Sequence, residues 1–264
     1  METGRTSTTG GASLAWQVEG PPDGPPLLLL PGQANSHRWW DGLREAFTHR
    51  WRTITFDYRG TGGSRADEAG ALDWSTSSFA ADAVAVLDDL GCADVLVYGT
   101  SMGGRVAQRL AVEHPSRVRR LVLACTSPGG PHAVERSLEV RRALSQPDPR
   151  AVRQVLMELM YTPAWLAGHD RSNLLGDPTM TTAARRGHLR VSGRHDAWDR
   201  LPEVAAPVLV LHGSEDLMAP VRNGELLASR LPDGVLHVVE GGRHGFFEEF
   251  ADEVEPLVRA FLDG

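Results

Sequence analysis

The chain has 264 residues, of which 41% are hydrophobic and 23% charged, a composition that is ordinary for a globular protein with a large core. Its formal net charge of -7 argues against a nucleic-acid partner, because proteins that bind nucleic acids carry a basic surface. No lysine occurs, so all 27 basic residues are arginine. Catalysis through a lysine Schiff base and phosphate binding by a P-loop lysine are therefore excluded.

The cysteines and the N-terminus indicate where the protein resides. Two cysteines, Cys92 and Cys125, cannot form a disulfide framework or a metal cluster. The N-terminal segment METGRTSTTGG lacks the apolar stretch of a signal peptide, and the aliphatic run at 27–30 is too short to cross a bilayer. We expect a cytoplasmic protein that binds a small molecule and neither a membrane nor nucleic acid. No motif implies a cofactor or a metal, and the sequence does not indicate an oligomeric state.

Short apolar segments alternate with helical patterns along most of the chain. Residues 1–11 are rich in threonine and glycine, and we expect them to form a disordered tail. The predicted elements that follow are an edge strand at 14–18, a strand at 27–30, a helix at 37–47, a strand at 53–57, a helix at 77–90, a strand at 94–99, a helix at 104–114, strands at 118–125 and 207–213, a helix at 223–231, a strand at 235–239 and a helix at 246–262. This alternation predicts an α/β fold in which a mostly parallel twisted sheet carries helices on both faces.

The alternation is interrupted after the strand at 118–125. The stretch 127–200 is rich in arginine and helix-forming residues, contains several prolines and shows no strand pattern. We interpret it as a small helical lid inserted into a core that is formed by residues 12–126 and 201–264.

The segment VYGTSMGGRV, residues 97–106, places a serine where a buried strand ends and a helix begins. Gly99 and Gly103 flank Ser101 at a spacing of two residues, and Gly104 follows. An ordinary helix N-cap does not require three glycines, whereas a strained turn between closely packed backbones does. This pattern is typical of a nucleophile elbow, which exposes the serine at the carboxyl edge of the sheet.

A serine hydroxyl needs a base to remove its proton, and the chain has ten histidines. His244 follows the last strand on a loop bracketed by glycines, and a helix begins directly after it. This places His244 at the same sheet edge as Ser101. The other histidines are interpreted as surface or structural residues.

The base needs a carboxylate that orients its ring. Glu215 and Asp216 both follow the strand at 207–213. Asp216 is the better candidate, because an Asp-x-x-x-Pro segment before a helix is usual in this loop. Glu215 is the alternative.

These features together resemble the α/β-hydrolase superfamily, including the chain order Ser, Asp, His. The resemblance covers residues 12–126 and 201–262 and is carried by LLLLPGQ, FDYRGTGGS, GTSMGG, LHGSED and GGRHGFFEE. It implies an oxyanion hole formed by the backbone N–H groups of Met102 and Gln33. Pro31-Gly32 replaces the usual His-Gly pair, so a histidine that supports this loop is missing. Asp57 and the Arg59-Gly60 pair match a structural turn of the superfamily.

The elbow and the small lid are similar to those of 3-oxoadipate enol-lactonases and small carboxylesterases. This resemblance implies a serine hydrolase that cleaves an ester or lactone of a small molecule through an acyl-enzyme. Carbon–carbon bond hydrolases share the triad, and the Gly103-Gly104-Arg105 segment also resembles the menaquinone-pathway lyase. A non-enzymatic sensor of a small ligand on the same fold is a further alternative.

Charge is distributed unevenly along the chain. Between residues 127 and 203 there are 11 arginines and nine acids, although the whole chain is acidic. These arginines either form a solvated lid surface, or one or two of them point into the pocket and bind a substrate carboxylate.

Overall fold

The computed structural model describes all 264 residues and contains one eight-stranded sheet, with strand order β1-β2-β4-β3-β5-β6-β7-β8. The strands are β1 (Glu2–Ser7), β2 (Ser13–Glu19), β3 (Pro26–Leu30), β4 (Arg52–Phe56), β5 (Val95–Thr100), β6 (Val118–Ala124), β7 (Val208–Gly213) and β8 (Gly234–Val239). The pairs β1–β2 and β2–β4 are antiparallel, and all other pairs are parallel. The predicted α/β fold with a mostly parallel sheet is confirmed.

The central part of the sheet is buried on both faces, which explains why its strands are rich in apolar residues. In β3, Leu28 and Leu30 belong to the core on one face, and Leu27 and Leu29 belong to the core on the other. All four leucines are fully buried. This alternation follows from the two-residue period of a strand.

Helices cover both faces. The helices are α1 (Glu45–Thr48), α2 (Thr76–Asp89), α3 (Met102–Glu113), α4 (Leu138–Leu144), α5 (Pro149–Met160), α6 (Pro163–Leu166), α7 (Thr182–Gly193), α8 (Arg222–Arg230), α9 (Phe246–Glu249) and α10 (Ala251–Asp263). Helices α2, α3 and α8 contribute to the core on one face, and α1, α9 and α10 to the core on the other. The start of α2 is determined by the local sequence, because Ser75 and Ser78 form a reciprocal capping box there.

The prediction of a disordered tail at 1–11 is wrong, because β1 pairs with β2 over its whole length. A strand gains its hydrogen bonds from the backbone, so a polar segment can join a sheet without an apolar pattern. The Thr6 hydroxyl is buried; it accepts a hydrogen bond from the Trp16 indole and donates one to Asp89. The segment at 14–18 is consequently not an edge strand, since β1 covers that edge of β2.

Two predicted helices are interrupted. The stretch 37–47 contains a 3-10 turn at His37–Trp40 and only the short helix α1, because Gly42 between them has φ of 83°. The stretch 246–262 is divided into α9 and α10 at Phe250, whose φ and ψ are -108° and 37°. Both interruptions reorient the backbone locally while the apolar pattern continues across them.

Between β6 and β7 the chain forms helices α4 to α7 and no strand. Residues of α5 and α7 line a cavity at the carboxyl edge of the sheet, together with residues of the loops that follow β3, β5 and β7. No helix of the structure combines the length and the apolar character needed to cross a bilayer.

The turn that contains Asp57 has a structural role, as its sequence pattern indicates. One oxygen of Asp57 accepts the backbone N–H of His37 at 2.6 Å, and the other accepts that of Gly63 at 2.7 Å. Arg59 forms a bidentate pair with the buried Asp82, both bonds at 2.7 Å. These contacts fix the loop after β4 to the loop after β3.

Candidate active site

Ser101 lies between β5 and α3 in a backbone conformation that side chains rarely adopt. Its φ is 52° and its ψ is -117°, and its hydroxyl makes no capping hydrogen bond to α3. Such a conformation costs about 1–3 kcal/mol and persists only where the surrounding structure imposes it. The expected strained turn is confirmed, and it directs the hydroxyl into the cavity rather than onto the helix.

The glycines of the elbow allow backbones to approach closely. A Cβ atom on Gly99 would lie 2.5 Å from the carbonyl oxygen of Gly103, and one on Gly103 would lie 2.2 Å from that of Leu30. A Cβ atom on Gly104 would lie 2.7 Å from the Thr126 side chain. The three glycines are therefore required by packing around the elbow.

We expect Gly103→Ala to lower the free energy of unfolding by about 3 kcal/mol or more, because the clash is with backbone that cannot rotate away. Gly193→Ala is the matched control, since its Cβ atom would meet nothing within 4 Å and the helical residue should change stability by about 1 kcal/mol or less. Urea unfolding of both variants measures the difference. Equal stabilities would show that the elbow tolerates a side chain.

The structure brings the three predicted residues together. His244 Nε2 lies 3.1 Å from Ser101 Oγ, and His244 Nδ1 lies 2.7 Å from Asp216 Oδ2. His244 and Asp216 are buried, and each is 3% exposed. The alternative carboxylate, Glu215, is exposed and lies 3.8 Å from Arg243. The geometry favours Asp216 as the residue that orients the His244 ring.

Asp216 is held by its own loop. Its Oδ1 accepts the backbone N–H groups of Met218 at 2.8 Å and Ala219 at 2.9 Å. The buried His212 lies beneath it, 3.6 Å from Oδ2, and bonds to the Ala219 carbonyl oxygen at 2.6 Å. One oxygen of Asp216 is thus fixed by backbone donors, which leaves the other aimed at His244.

The loop that carries His244 is attached to helix α5. The backbone N–H groups of His244 and Gly245 donate to the carbonyl oxygens of Leu159 and Met160 at 3.2 and 2.8 Å. Arg243 donates to the carbonyl oxygen of Glu158 at 2.5 Å. The loop therefore satisfies carbonyl groups at the end of α5, which a helix leaves unpaired. Lid position and histidine position are coupled through these bonds.

The two backbone donors predicted for an oxyanion hole line the same cavity as Ser101 and His244. The N–H groups of Gln33 and Met102 donate to no other protein group. Met102 is the first residue of α3, so the positive end of the helix dipole faces the same point. Two unpaired donors beside a serine can stabilise an oxyanion.

A histidine that supports the oxyanion loop is present after all, because His188 of α7 supplies it. Its Nδ1 accepts the backbone N–H of Ala34 at 3.2 Å, and its Nε2 donates to the Arg59 carbonyl oxygen at 2.9 Å. Ala34 has φ of 57°, so this bond holds a strained residue next to Gln33. The sequence offered no signal for this role, since 154 residues separate the partners.

Burial lowers the pKa of three histidines that surround the site. The pKa of His188 falls to about 4, that of His195 lies well below its usual value, and that of His212 is lowered. All three must stay neutral in the folded chain, whereas the unfolded chain protonates them near pH 6.5.

We therefore expect the contribution of these three histidines to stability to be full above pH 6.5 and to fall as the pH decreases from 6.5 towards 4. The expected slope is about 1.4 kcal/mol per pH unit for each histidine, because unfolding then takes up protons. Urea unfolding at several pH values measures this slope. The His188→Gln variant should take up about one proton fewer on unfolding, so that its slope is smaller. A stability that does not change between pH 7 and pH 5 would contradict the assignment.

The cavity in front of Ser101 has a volume of about 210 Å³. This is less than the roughly 300–1,000 Å³ of typical drug-sized ligand sites, so a small substrate fits it. Its lining includes Arg105, Arg136 and Arg185 and no aspartate or glutamate. Arg136 and Arg185 belong to the lid stretch, whose arginines were expected either to form a solvated surface or to point one or two side chains into the pocket. Arg105 lies one helical turn after Ser101, which is the spacing that signals a shared face.

Comparisons with known proteins show the family of the chain. Residues 25–251 match the family described as alpha/beta hydrolase fold. The putative carbamate hydrolase RutD of Variovorax paradoxus (strain S110) is 32% identical over 247 residues, which cover 88% of this chain and 89% of the relative. The pimeloyl-[acyl-carrier protein] methyl ester esterase of Nitrosomonas europaea is 29% identical over 248 residues, which cover 89% and 95%.

A solved structure, the esterase RhEst1 from Rhodococcus sp. ECU1013, superposes with a TM-score of 0.85 at 25% identity and covers 100% of this chain and 99% of that one. Sequence and structure thus agree over most of the length. The chain belongs to the α/β-hydrolase fold family.

Proposed function

We propose that the protein hydrolyses esters or lactones of small molecules through a covalent acyl-enzyme on Ser101. The observation that carries the proposal is the chain of two contacts, 3.1 Å from Ser101 Oγ to His244 Nε2 and 2.7 Å from His244 Nδ1 to Asp216. A nucleophile, a base and an orienting carboxylate at these distances are the requirements for activating a serine.

In the first half of the reaction, His244 Nε2 accepts the proton of Ser101 as the hydroxyl oxygen attacks the substrate carbonyl carbon. The carbonyl oxygen becomes an anion and accepts hydrogen bonds from the N–H groups of Met102 and Gln33. The carbon–oxygen bond to the leaving group then breaks, and the leaving alkoxide takes the proton from His244. An ester loses an alcohol at this step, whereas a lactone opens and stays attached as one chain.

In the second half, a water molecule takes the place of the alcohol. His244 accepts its proton while the hydroxide attacks the acyl carbon, and the Ser101 oxygen leaves with that proton. Asp216 stays ionised throughout and stabilises the imidazolium that forms twice in each cycle.

Relatives support this chemistry, since both an esterase and a methyl ester esterase resemble the chain over most of its length. The relatives named as carbamate hydrolases suggest a related substrate class, because a carbamate also presents a carbonyl carbon to the nucleophile. The small cavity favours compact acyl groups.

Turnover assays test the proposal. Purified protein should hydrolyse p-nitrophenyl acetate, and a panel of short-chain esters, lactones and carbamates should contain at least one better substrate. Ser101→Ala should abolish each activity. Binding of panel members without any turnover would support a ligand sensor and would overturn the proposed hydrolysis.

A further inference from the structure

The cavity beside Ser101 is lined by three arginines that form no ion pair with an acid of the protein. Its three arginines come from separate segments: Arg105 from α3, Arg136 from the loop before α4 and Arg185 from α7. None of them has a carboxylate oxygen within 4.0 Å. The lining itself contains no acid.

Arg105 is held in place by neutral groups only. It donates to the Ser192 carbonyl oxygen at 2.7 Å and to the Ser127 hydroxyl at 3.0 Å. Burial and, to a smaller extent, the positive charge of Arg136 lower its pKa to about 10, and Glu135 opposes this shift. The guanidinium therefore remains charged at neutral pH, and its orientation is fixed before any ligand arrives.

Arg136 has even fewer partners. Its one side-chain contact is with the sulfur of Met218 at 3.9 Å. The neighbouring Glu135 is exposed and pairs with Arg141 at 3.0 Å instead. Its guanidinium thus keeps almost all of its donors free at the wall of the cavity.

Elsewhere the protein pairs its buried arginines. Arg59 is bound in a bidentate manner by Asp82, and Arg44 bonds to Thr53 and approaches Glu19 at 3.8 Å. A half-buried charge without an ion-pair partner is costly, and the positive charge of Arg136, which lowers the pKa of Arg105, adds to that cost. An anion bound between Arg105 and Arg136 would remove both penalties, and a planar guanidinium suits a carboxylate.

We propose that Arg105 and Arg136 form a carboxylate-binding site, so that the preferred substrate is a small ester or lactone that carries a free carboxylate. The substrate part of this proposal rests on the proposed hydrolysis, whereas the binding part does not. The carboxylate and the scissile carbonyl group must both fit the cavity of about 210 Å³, which limits the substrate to a short chain between the two groups.

Arg185 offers an internal comparison. It lies seven residues before Ser192 on α7, which places it about 10 Å along the helix axis from the residue that Arg105 contacts. It donates to the Asp177 carbonyl oxygen at 2.6 Å. We assign the carboxylate to the Arg105–Arg136 end because two cavity arginines without an ion-pair partner lie close enough there for the charge of Arg136 to act on Arg105, whereas Arg185 acts on Asp177.

Binding is measured first, since it does not depend on turnover. Isothermal titration with glutarate and with its neutral diamide should show that the protein binds glutarate at least tenfold more tightly. Arg136→Gln should weaken glutarate binding at least tenfold, about 1.4 kcal/mol, and Arg136→Lys should weaken it less. Arg142→Gln is the matched control, because Arg142 is an exposed arginine of α4 that does not line the cavity, and it should bind like the unmodified protein.

Three results would overturn the assignment: equal binding of glutarate and the diamide, unchanged glutarate binding by Arg136→Gln, or a loss that occurs only in Arg185→Gln. Arg105→Gln should also weaken binding. That variant also removes the contacts to Ser192 and Ser127, so its folding is checked by circular dichroism, and if it does not fold Arg136→Gln alone decides.

Turnover is measured second, with 5-oxotetrahydrofuran-2-carboxylate and its primary amide as a pair of lactones. The ratio of their kcat/KM values should favour the carboxylate at least tenfold and should decrease towards one in Arg136→Gln. Because the ratio is taken on one protein preparation, it does not depend on the folded fraction. Hydrolysis of both lactones at equal rates would overturn the substrate class while the proposed hydrolysis stands. Tight glutarate binding with no turnover of any ester or lactone would overturn the proposed hydrolysis, while the carboxylate-binding site would stand.

Discussion

Replacing Ser101 by alanine is expected to lower kcat for ester hydrolysis by about 10⁶-fold, and replacing His244 by alanine should have nearly the same effect. The reason is that neither residue acts without the other, since the 3.1 Å contact between them is the path of the proton. The double variant should consequently be little worse than either single one. Steady-state kinetics on the best ester of the panel measures all three.

Additive losses in the double variant would show that the two residues act independently and would contradict a shared proton transfer. Circular dichroism spectra control for folding. Ser101→Ala also leaves the backbone strain in place, because alanine at φ of 52° is as unfavourable as serine. A loss of activity with an unchanged spectrum therefore reports on the hydroxyl group.

Replacing Asp216 by asparagine is expected to lower kcat by about 10⁴-fold. Asparagine preserves the shape and keeps one oxygen to accept the N–H groups of Met218 and Ala219. Its amide nitrogen then faces His244 Nδ1, which can accept from an N–H only when it has lost its own proton. The His244 proton moves to Nε2, and this tautomer cannot accept the proton of Ser101.

Glu215→Gln is the control for this experiment, since Glu215 is exposed and contacts Arg243 rather than His244. It should retain nearly full activity. If Glu215→Gln loses activity and Asp216→Asn keeps it, the orienting carboxylate has been assigned to the wrong residue.

The sheet could be predicted because its strands are buried on both faces. A strand such as β3, with four consecutive leucines, has no other stable environment in a protein of this size. The polar strand β1 could not be predicted, since its stability comes from backbone pairing with β2, which leaves no apolar pattern. The interruptions at Gly42 and Phe250 were missed because the apolar period continues through them.

The backbone geometry of the elbow could be predicted because steric requirements there restrict the residue types. Position 103 requires glycine, because a Cβ atom there would lie 2.2 Å from the Leu30 carbonyl oxygen. A requirement of this kind can be recognised in the sequence. His188 and Arg105 differ, because their roles depend on partners that only folding brings near. His188 bonds to Ala34, which is 154 residues away in the chain, and Arg105 gains importance because the lining of the cavity contains no acid.

The central claim is that Ser101 is a nucleophile activated by His244, and covalent labelling tests it most directly. The folded protein is treated with a fluorophosphonate, digested, and analysed by mass spectrometry. We predict one phosphonylated residue, Ser101, and a labelling rate that falls sharply in His244→Ala. A label on another residue, or no label on protein whose folding is verified by circular dichroism, would contradict the mechanism.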